Sequence, residues 1–194
     1  MYRYFKRFLD IVLSAAGLLV LSPILLVIAV AIKLDSKGPV LFKQKRVAKG
    51  KEHFQILKFR TMYADVPKDV PTHLLADPES KITKIGRFLR KSRLDELPQI
   101  WNILVGEMSI IGPRPALWNQ FDLIAERDKY GANDVRPGLT GLAQVMGRDE
   151  LPIEVKAKYD GEYAQNVTFA NDVKIFFKTI TSVLGAKGVK EGKQ

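Results

Sequence analysis

The sequence predicts a mostly helical α+β protein that is attached to a membrane. Residues 11–32 contain no charged side chain, and uncharged runs of about 18 or more residues are typical of helices inside a bilayer. Two segments of alternating residues follow around a glycine-containing turn, which indicates a small β-hairpin. Most of the remaining chain repeats apolar residues at helical spacing, between loops marked by proline and glycine.

The uncharged run is interrupted near its middle by Ser22-Pro23. Proline removes a backbone donor and clashes with the preceding turn, so we expect a helix-break-helix here. Each half would be about 16 Å long, too short for a hydrocarbon core of about 30 Å. Lysine and arginine flank both ends, so neither end is marked for the far side of the membrane. We therefore predict a re-entrant helix over 1–34, with the Ser22 hydroxyl bonding a carbonyl that Pro23 leaves free.

Two other interpretations of this run stay open at this point. A single-pass helix that tolerates the proline fits the same residues. A secretory signal is less favoured, because the run is too long for a usual signal core, although Ala29-Val30-Ala31 resembles a cleavage site. The remaining length suits one domain at 35–185, followed by a basic, glycine-rich tail at 186–194 that we expect to be disordered.

Composition excludes several classes of site. The chain has 194 residues, a formal net charge of +10 and no cysteine, so disulfides, thiolate metal sites and cysteine catalysis are excluded. His53 and His73 have no third ligand at metal spacing and are expected to be surface or hairpin residues. The positive charge beside a membrane run favours anionic lipid and phosphorylated substrates. Nucleic-acid binding is the weakest alternative, since no recognised module is present.

The hairpin is predicted from VLFKQKRV, the turn 48–51 and HFQILKFRTM. Depending on the register, its exposed side would carry Lys43, Lys45, Lys58 and Arg60. After a proline-containing loop at 63–80, a helical pattern begins at Thr83. Ser92 with an acidic residue three positions later predicts another helix start. The apolar side of that helix would include Leu97, Ile100, Trp101 and Leu104.

The second half of the domain is predicted to be helical around two loops. GEMSIIGPRP holds Arg114 between two prolines, which gives a rigid extended backbone. Helices are expected over 116–129 and 152–165, with a glycine-rich loop or short strand between them. A last helix from Phe169 has a phenylalanine-rich face with Lys174 and Lys178 opposite, which favours an amphipathic helix in the membrane interface over packing on the core.

The acidic pair Asp95-Glu96 is the candidate for chemistry. Adjacent helical residues project about 100° apart, so the two carboxylates cannot form an opposed glycosidase pair. One could attack phosphorus while its neighbour holds Mg²⁺, although capping of a helix is the ordinary role of such residues. Scattered basic residues in proline- or glycine-containing segments suit phosphate binding and favour transfer of a phosphoryl-linked group to a lipid. They are Lys58, Arg60, Arg87, Arg90, Arg114, Arg136 and Arg148.

Four motifs resemble the bacterial sugar transferase family, the monotopic phosphoglycosyl transferases. They are KFRTM at 58–62, LRKSRLDELPQIWNIL at 89–104, GEMSIIGPRP at 106–115 and VRPGLTGLAQVMGR at 135–148. The similarity extends from Ser22-Pro23, where the family's re-entrant helix breaks, to the Asp-x-Lys-Ile at 172–175. Without the additional membrane helices of larger members, the chain resembles the minimal catalytic form.

The resemblance implies transfer of a sugar-1-phosphate from a UDP-sugar to polyprenyl (undecaprenyl) phosphate, with UMP as the other product. It implies that Asp95 is the covalent nucleophile and that Glu96 lies at Mg²⁺, so the two carboxylates are the expected catalytic and metal-binding residues. It assigns Arg148 to the substrate phosphate, with support from Arg136. The other basic residues that it places at substrate are Lys58, Arg90 and Arg114.

The resemblance also implies a monotopic protein of the bacterial inner membrane, with domain 35–185 as a catalytic domain on the cytoplasmic face. The expected partners are UDP-sugar, polyprenyl phosphate and membrane phospholipid, without nucleic acid; a homodimer is compatible with the sequence. Ala48 stands where the family commonly has glycine, which puts a positive-φ turn there in doubt. Leu142 and Met146 stand where tryptophan and asparagine are usual, so the sugar is not assigned.

Two rival functions make different predictions. A non-catalytic, basic scaffold anchored in the membrane predicts that Asp95→Asn leaves every activity unchanged. A spanning transferase that uses the same carboxylates on another substrate predicts that the two termini lie on opposite sides of the membrane.

Overall fold

A computed structural model describes residues 1–66, 77, 79–147 and 151–184. His73, Arg148, most of the proline-containing loop and the predicted tail lie outside the described residues. The helices and strands confirm a mostly helical fold with one small hairpin. In chain order they are α1 Tyr2–Asp35, β1 Leu41–Val47, β2 His53–Phe59, α2 Lys84–Ser92, α3 Gln99–Val105, β3 Ser109–Ile111, α4 Phe121–Asp128, β4 Gly138–Thr140, α5 Leu142–Met146, α6 Ile153–Gln165 and α7 Phe169–Leu184.

The N-terminal helix α1 continues through the predicted break. It is 34 residues long with Pro23 inside it. Pro23 cannot donate to the carbonyl of Leu19, four residues earlier, and the Ser22 hydroxyl donates to that same carbonyl at 2.8 Å. The predicted hydrogen bond of the Ser22 hydroxyl is therefore confirmed. The helix nevertheless continues through Ser22-Pro23, and no separate second helix is present.

Both ends of α1 contact the same domain. At the N-terminal end, the hydroxyl of Tyr2 and the ammonium of Lys6 each donate to Asp172 of α7 at 2.6 Å. At the C-terminal end, Ile32 is buried in a cluster with Phe59 of β2. Between these contacts α1 is long and apolar enough to cross a membrane, by length and composition alone. Its exposed apolar side chains there include Leu19, Val20, Ile24, Leu26 and Val27.

The hairpin register decides which cations face the domain. Phe42 pairs with Lys58, and Gln44 and Arg46 lie on the same face because residues directly opposite in an antiparallel pair share a face. This face packs against α3 through buried apolar residues of β2. Lys43 lies on the outer face and is exposed. The expectation that Lys58 would be on the exposed side was wrong, because the register turns it inward.

The hairpin turn does not require a glycine at position 48. Ala48 has an extended backbone with φ of −94°, and the positive φ values fall on Gly50 and Lys51, at 68° and 63°. The departure from the family pattern at Ala48 therefore introduces no backbone strain, since alanine adopts this conformation without difficulty.

Helix α2 spans Lys84–Ser92 and is capped by Thr83, the residue at which the helical pattern was predicted to begin. The Thr83 hydroxyl caps the helix by accepting a backbone N–H at 3.0 Å. The helix start predicted at Ser92 was wrong, because the Ser92 hydroxyl donates back to the carbonyl of Phe88 at 2.8 Å within α2. Asp95 and Glu96 consequently lie in the short 3₁₀ turn Leu94–Glu96 that joins α2 to α3.

The predicted apolar side of α3 is wrong at Trp101, although Leu97 packs against a buried cluster and Ile100 and Leu104 are half-buried. Trp101 is exposed, whereas Asn102 and Ile103 are buried. The Asn102 side chain accepts the N–H of Leu57 at 3.0 Å and donates to the carbonyl of Gln55 at 2.9 Å. A polar residue is buried here because it pairs with main-chain groups of β2, and it fixes α3 against the strand that carries Lys58.

The helix predicted over 116–129 begins only at Phe121, and the predicted glycine-rich loop contains the short helix α5, but the last two helices follow the prediction closely. α6 and α7 begin within one residue of the expected positions, and the glycine-rich segment contains the short strand β4, which pairs in parallel with β3. In α7, Asp172 and Ile175 are buried while Phe176 and Phe177 are exposed. The phenylalanine face therefore does not pack on the core, and its position in a membrane interface stays a prediction.

Candidate active site

Three segments far apart in the sequence meet at the carboxylate of Glu96. Lys58 at the end of β2 donates from Nζ to Glu96 Oε1 at 2.7 Å, and Arg114 donates from Nη2 to the same oxygen at 3.0 Å. The turn after α2 presents the carboxylate, and prolines on both sides of Arg114 hold its backbone. The predicted residues Lys58, Glu96 and Arg114 are therefore brought together.

The charge on Glu96 is held by its two partners. Burial pushes the pKa of Glu96 upward, but Lys58 and Arg114 outweigh this effect and hold the pKa well below its usual range. Burial lowers the pKa of Lys58, and the Glu96 carboxylate opposes that change. Glu96 is therefore an ionised anchor whose charge is balanced by the cations around it.

The surroundings of Asp95 shift its pKa upward, in the opposite direction to the shift at Glu96. Burial raises the pKa of its carboxyl, the charge of Glu96 raises it further, and Lys58, Arg90 and Arg114 oppose the rise. Across the described part of the chain, no group donates a hydrogen bond to the Asp95 carboxylate. Neighbouring carboxyl groups whose pKa values are pushed apart are suited to different roles. Among the described residues, Glu96 accepts hydrogen bonds from two cations, whereas the Asp95 oxygens accept none.

Arg90 approaches the acidic pair from the last turn of α2. Its Nε donates to Thr61 Oγ1 at 3.0 Å, and its charge is close enough to lower the pKa of Asp95 against the effect of burial. Thr61 follows β2 directly after Arg60, so the strand end and α2 are locked together at the site. The predicted position of Arg90 near Asp95 is consistent with this geometry.

The position of Arg90 depends on a close approach between α2 and the backbone after β2. A Cβ atom added to Gly86 would lie 2.0 Å from the carbonyl oxygen of Thr61. We expect Gly86→Ala to displace α2, to destabilise the fold by roughly 1–3 kcal/mol, and to lower the rate of any reaction that depends on Arg90, because Arg90 moves with the helix. Gly17→Ala is the matched control, since its nearest neighbours lie at 3.9 Å. An unfolding midpoint for Gly86→Ala equal to that of the control would contradict the close-packing argument.

Arg60 lies away from the acidic pair, although the sequence predicted that it would bind phosphate. Its side chain is 4% exposed and its Nη2 donates to the carbonyl of Ser36 at 2.7 Å and to the Ser36 hydroxyl at 2.9 Å. A second nitrogen, Nη1, donates to the carbonyl of Lys37. Arg60 therefore binds the C-terminal end of α1, where a cation is favoured by the helix dipole, and does not reach the acidic pair.

Arg136 also lies apart from the acidic pair. Its Nε donates to the carbonyl of Gly106 at 3.0 Å, immediately after α3. The turn that carries Asp95 and Glu96 precedes α3, so the two groups are at opposite ends of a helix about 10 Å long. The predicted role of Arg148 falls outside the described residues.

Arg46 joins the site, and the sequence argument missed it. Its Nη1 donates to the carbonyl of Pro115 at 2.9 Å and its Nη2 to Gln44 Oε1 at 2.6 Å. Burial and the charge of Arg114 lower the pKa of Arg46, whereas Glu96 raises it. The sequence left the register of the hairpin open, and only the observed register places Arg46 on the inward face with Lys58.

A second missed feature is a buried ion pair behind Arg114. Arg127 of α4 donates from Nε and Nη2 to Asp160 Oδ2 at 2.9 and 2.6 Å, and its Nη2 also donates to the carbonyl of Arg114 at 3.0 Å. Both members of the pair are buried. The pair thus links α4 to α6 and fixes the backbone that presents Arg114 to Glu96.

The acidic pair fits a magnesium site only when a substrate completes it. Within the described ranges, no group of three or more His, Cys, Asp or Glu side chains is arranged to hold a metal. Mg²⁺ is commonly held by one or two carboxylates together with phosphate oxygens and water. Asp95 and Glu96 could supply the carboxylates, and a diphosphate would have to supply the remaining oxygens.

Comparison with known sequences identifies the family. A sequence profile for bacterial sugar transferases matches residues 1–186. The chain belongs to the bacterial sugar transferase family. The half-buried acidic pair, its cations and the long apolar α1 are therefore features of a sugar transferase chain.

The names of three relatives describe them as sugar transferases or sugar phosphotransferases. The chain is 42% identical over 188 residues to a UDP-glucose:undecaprenyl-phosphate glucose-1-phosphate transferase of Caulobacter vibrioides, covering 92% of this chain and 69% of the relative. It is 39% identical over 195 residues to a UDP-N-acetylgalactosamine-undecaprenyl-phosphate N-acetylgalactosaminephosphotransferase of Aeromonas hydrophila, covering 97% and 46%. An uncharacterized sugar transferase of Haemophilus influenzae is 37% identical, with 96% and 42% covered. The chain spans less than half the length of the last two relatives.

Proposed function

We propose that this chain transfers a sugar-1-phosphate from a UDP-sugar to polyprenyl phosphate through a phosphosugar-aspartate intermediate. The observation that carries the proposal is the contrast within the acidic pair. Glu96 is ionised and bound to Lys58 and Arg114, whereas Asp95 accepts no hydrogen bond from the described residues and lies beside several cations. This arrangement suits a nucleophile that attacks a phosphate, and two relatives are named for such a transfer.

In the first proposed step, a carboxylate oxygen of Asp95 attacks the β-phosphorus of the UDP-sugar. A bond forms between that oxygen and phosphorus, the bond from phosphorus to the bridging oxygen breaks, and UMP leaves with the bridging oxygen. Lys58, Arg90 and Arg114 surround the carboxylate and can stabilise negative charge on the phosphate oxygens. The Lys58 side chain is 17% exposed and that of Arg114 39% exposed, so Lys58 is the less solvent-screened of the two and acts more strongly on a bound phosphate.

In the second step, a phosphate oxygen of the polyprenyl phosphate attacks the same phosphorus. The bond from phosphorus to Asp95 breaks, the carboxylate is regenerated, and polyprenyl-diphosphate-sugar is the product. A magnesium ion held by Asp95, Glu96 and the diphosphate would supply charge neutralisation at the phosphate oxygens. Glu96, with its low pKa, keeps a negative charge at this position through both steps.

We further propose that α1 enters and leaves the membrane on one side, which is the cytoplasmic face of the bacterial inner membrane. Support comes from its two ends, which both contact one domain through Asp172 and through Phe59. A straight span would carry one end about 30 Å away. The exposed phenylalanines of α7 suit the same surface, so a soluble UDP-sugar and a lipid phosphate could meet at the headgroup level.

The absence of cysteine makes this topology directly testable. Tyr4→Cys and Leu34→Cys place single thiols at exposed positions near the two ends of α1. In right-side-out membrane vesicles, a membrane-impermeant maleimide should label neither thiol until the vesicles are opened. Labelling of only one thiol before opening would support a spanning helix and overturn the re-entrant arrangement.

The activity is tested by UMP release from detergent-purified protein supplied with Mg²⁺, undecaprenyl phosphate and a panel of UDP-sugars. Release that requires the lipid and favours one sugar is expected. The names of relatives include glucose and N-acetylgalactosamine, so both sugars belong in the panel. No release with any sugar, from protein that still binds vesicles, would favour the rival scaffold function.

The pH dependence of kcat/KM follows from the pKa of Asp95. Asp95 must be ionised to attack, and burial raises its pKa above the usual value of about 3.9. The rate should therefore fall as the pH decreases, and the fall should begin at a higher pH than an ordinary aspartate would give. Glu96 remains ionised in this range because its pKa is lowered. A rate that stays constant down to about pH 4 would contradict the raised pKa.

A further inference from the structure

A second basic pocket lies at the C-terminal end of α3, away from Asp95 and Glu96. Five cations and two carboxylates are among its lining residues, and its volume is about 70 Å³. About 10–15 Å³ of this kind of cavity volume holds one water molecule, so the pocket has room for several water molecules or for a single phosphate group. The charged residues that line it are Arg3, Lys6, Arg7, Asp10, Lys49, Asp134 and Arg136.

Two of these arginines are fixed by main-chain carbonyls. Arg7 donates from Nη1 and Nη2 to the carbonyls of Ile103 and Leu104 at 2.6 and 2.8 Å, and Arg136 donates to Gly106 at 3.0 Å. The positive charges of Arg7 and Arg136 act on each other, and the carboxylate of Asp10 acts on Arg7 in the opposite sense. The two guanidinium groups therefore repel each other, and an anion between them would relieve that repulsion.

An unpaired hydroxyl in the same pocket points to a ligand. Ser109 lines the pocket, is 1% exposed, and its Oγ has no hydrogen-bond partner among the described residues. Buried hydroxyls are normally paired. The carboxylates do not meet this need, since Asp10 Oδ1 accepts the N–H of Ile110 at 3.0 Å. A phosphate oxygen would accept the hydrogen bond that Ser109 can donate.

The location favours a lipid as the source of the phosphate. Arg3, Lys6 and Arg7 occupy the domain side of the first turns of α1, while Tyr4, Phe5 and Phe8 are exposed on the other side. Exposed aromatic residues beside lysine and arginine are typical of the level of the membrane headgroups. The pocket would therefore lie behind the helix, next to lipid phosphates, at the opposite end of α3 from the reacting carboxylates.

We propose that this pocket binds the phosphate group of an anionic phospholipid headgroup and so fixes the N-terminal half of α1 at the membrane surface. The site goes beyond the proposed transfer reaction, because it needs neither Asp95 nor a UDP-sugar. Its occupant differs from the acceptor lipid, which must reach the acidic pair. The cations supply attraction to phosphate, and Ser109 supplies a directed hydrogen bond.

The test compares binding to phosphatidylcholine vesicles with and without phosphatidylglycerol, with no UDP-sugar present. Ser109→Ala changes no charge and should weaken binding to the anionic vesicles about tenfold, the loss expected for one hydrogen bond to a charged group. Lys49→Gln removes an exposed pocket cation and should weaken binding several-fold. Lys43→Gln removes an exposed cation on the outer face of the hairpin and is the matched control, with less than a twofold change expected.

Two outcomes would overturn the proposal. Equal effects of Lys49→Gln and Lys43→Gln, with no effect of Ser109→Ala, would mean that general surface charge attracts the vesicles. Binding of millimolar inorganic phosphate to wild type but not to Ser109→Ala, together with vesicle binding that neither the phosphate nor Ser109→Ala changes, would assign the pocket to a soluble phosphate. Unfolding midpoints measured in detergent without phosphatidylglycerol verify that the variants are folded, and UMP release, measured separately, distinguishes failure of this site from failure of the transferase.

Discussion

Asp95→Asn is expected to abolish the transfer of label from UMP back into UDP-sugar when no polyprenyl phosphate is present. If Asp95 accepts the phosphosugar, the first step is reversible without the lipid, so wild-type protein should catalyse this exchange. Asparagine cannot form the same acyl-phosphate, and loss of a nucleophile lowers the rate by at least about a thousandfold. The measurement is incorporation of radiolabelled UMP into UDP-sugar over time.

The control is Asp122→Asn, the same chemical change at an exposed position near the start of α4. It should exchange label at the wild-type rate. Exchange by Asp95→Asn at that rate would overturn the covalent role. A wild-type protein that makes polyprenyl-diphosphate-sugar but shows no exchange without the lipid would indicate a direct transfer, in which both substrates must be bound together.

Asp160→Asn is expected to lower the unfolding midpoint by roughly 6–20 °C, because it leaves the buried guanidinium of Arg127 without a counter-charge. Breaking a buried ion pair from one side costs about 3–5 kcal/mol, and each kcal/mol shifts the midpoint by about 2–4 °C for a chain of this size. The rate of UMP release should also fall, since Arg127 holds the carbonyl of Arg114. Thermal unfolding in detergent and the UMP assay measure the two effects.

Two further variants separate a loss of fold stability from a displacement of Arg114. Lys129→Ala removes an ion pair between the exposed Lys129 and Glu126 and should leave the unfolding midpoint essentially unchanged, because exposed ion pairs contribute little to stability. Replacement of the buried pair by Arg127→Met together with Asp160→Leu should recover much of the stability, as apolar replacements of buried pairs often do, without restoring the Arg114 carbonyl contact. Recovery of full activity in this double variant would show that the contact does not position Arg114.

The features that could be predicted from the sequence are those that depend on residues close together in the chain. The uncharged run, the hairpin, the start of α2 after Thr83 and the positions of α6 and α7 follow from periodicity, capping and turn residues. The hydrogen bond from the Ser22 hydroxyl follows from the donor that Pro23 lacks. Predictions failed where two local signals competed, as at Ser92, whose hydroxyl bonds within α2 instead of starting a new helix.

The sequence by itself determined the long apolar helix, the hairpin, the acidic pair and the cations available to it, because charge, turn residues and apolar spacing act over a few residues. Only the tertiary structure decided which cations meet the carboxylates. It selected Lys58, Arg90 and Arg114, added Arg46, and placed Arg60 at the end of α1 and Arg136 at the end of α3. The physical reason is that strand register and helix packing bring together side chains from distant segments, and no periodicity within one segment specifies those contacts.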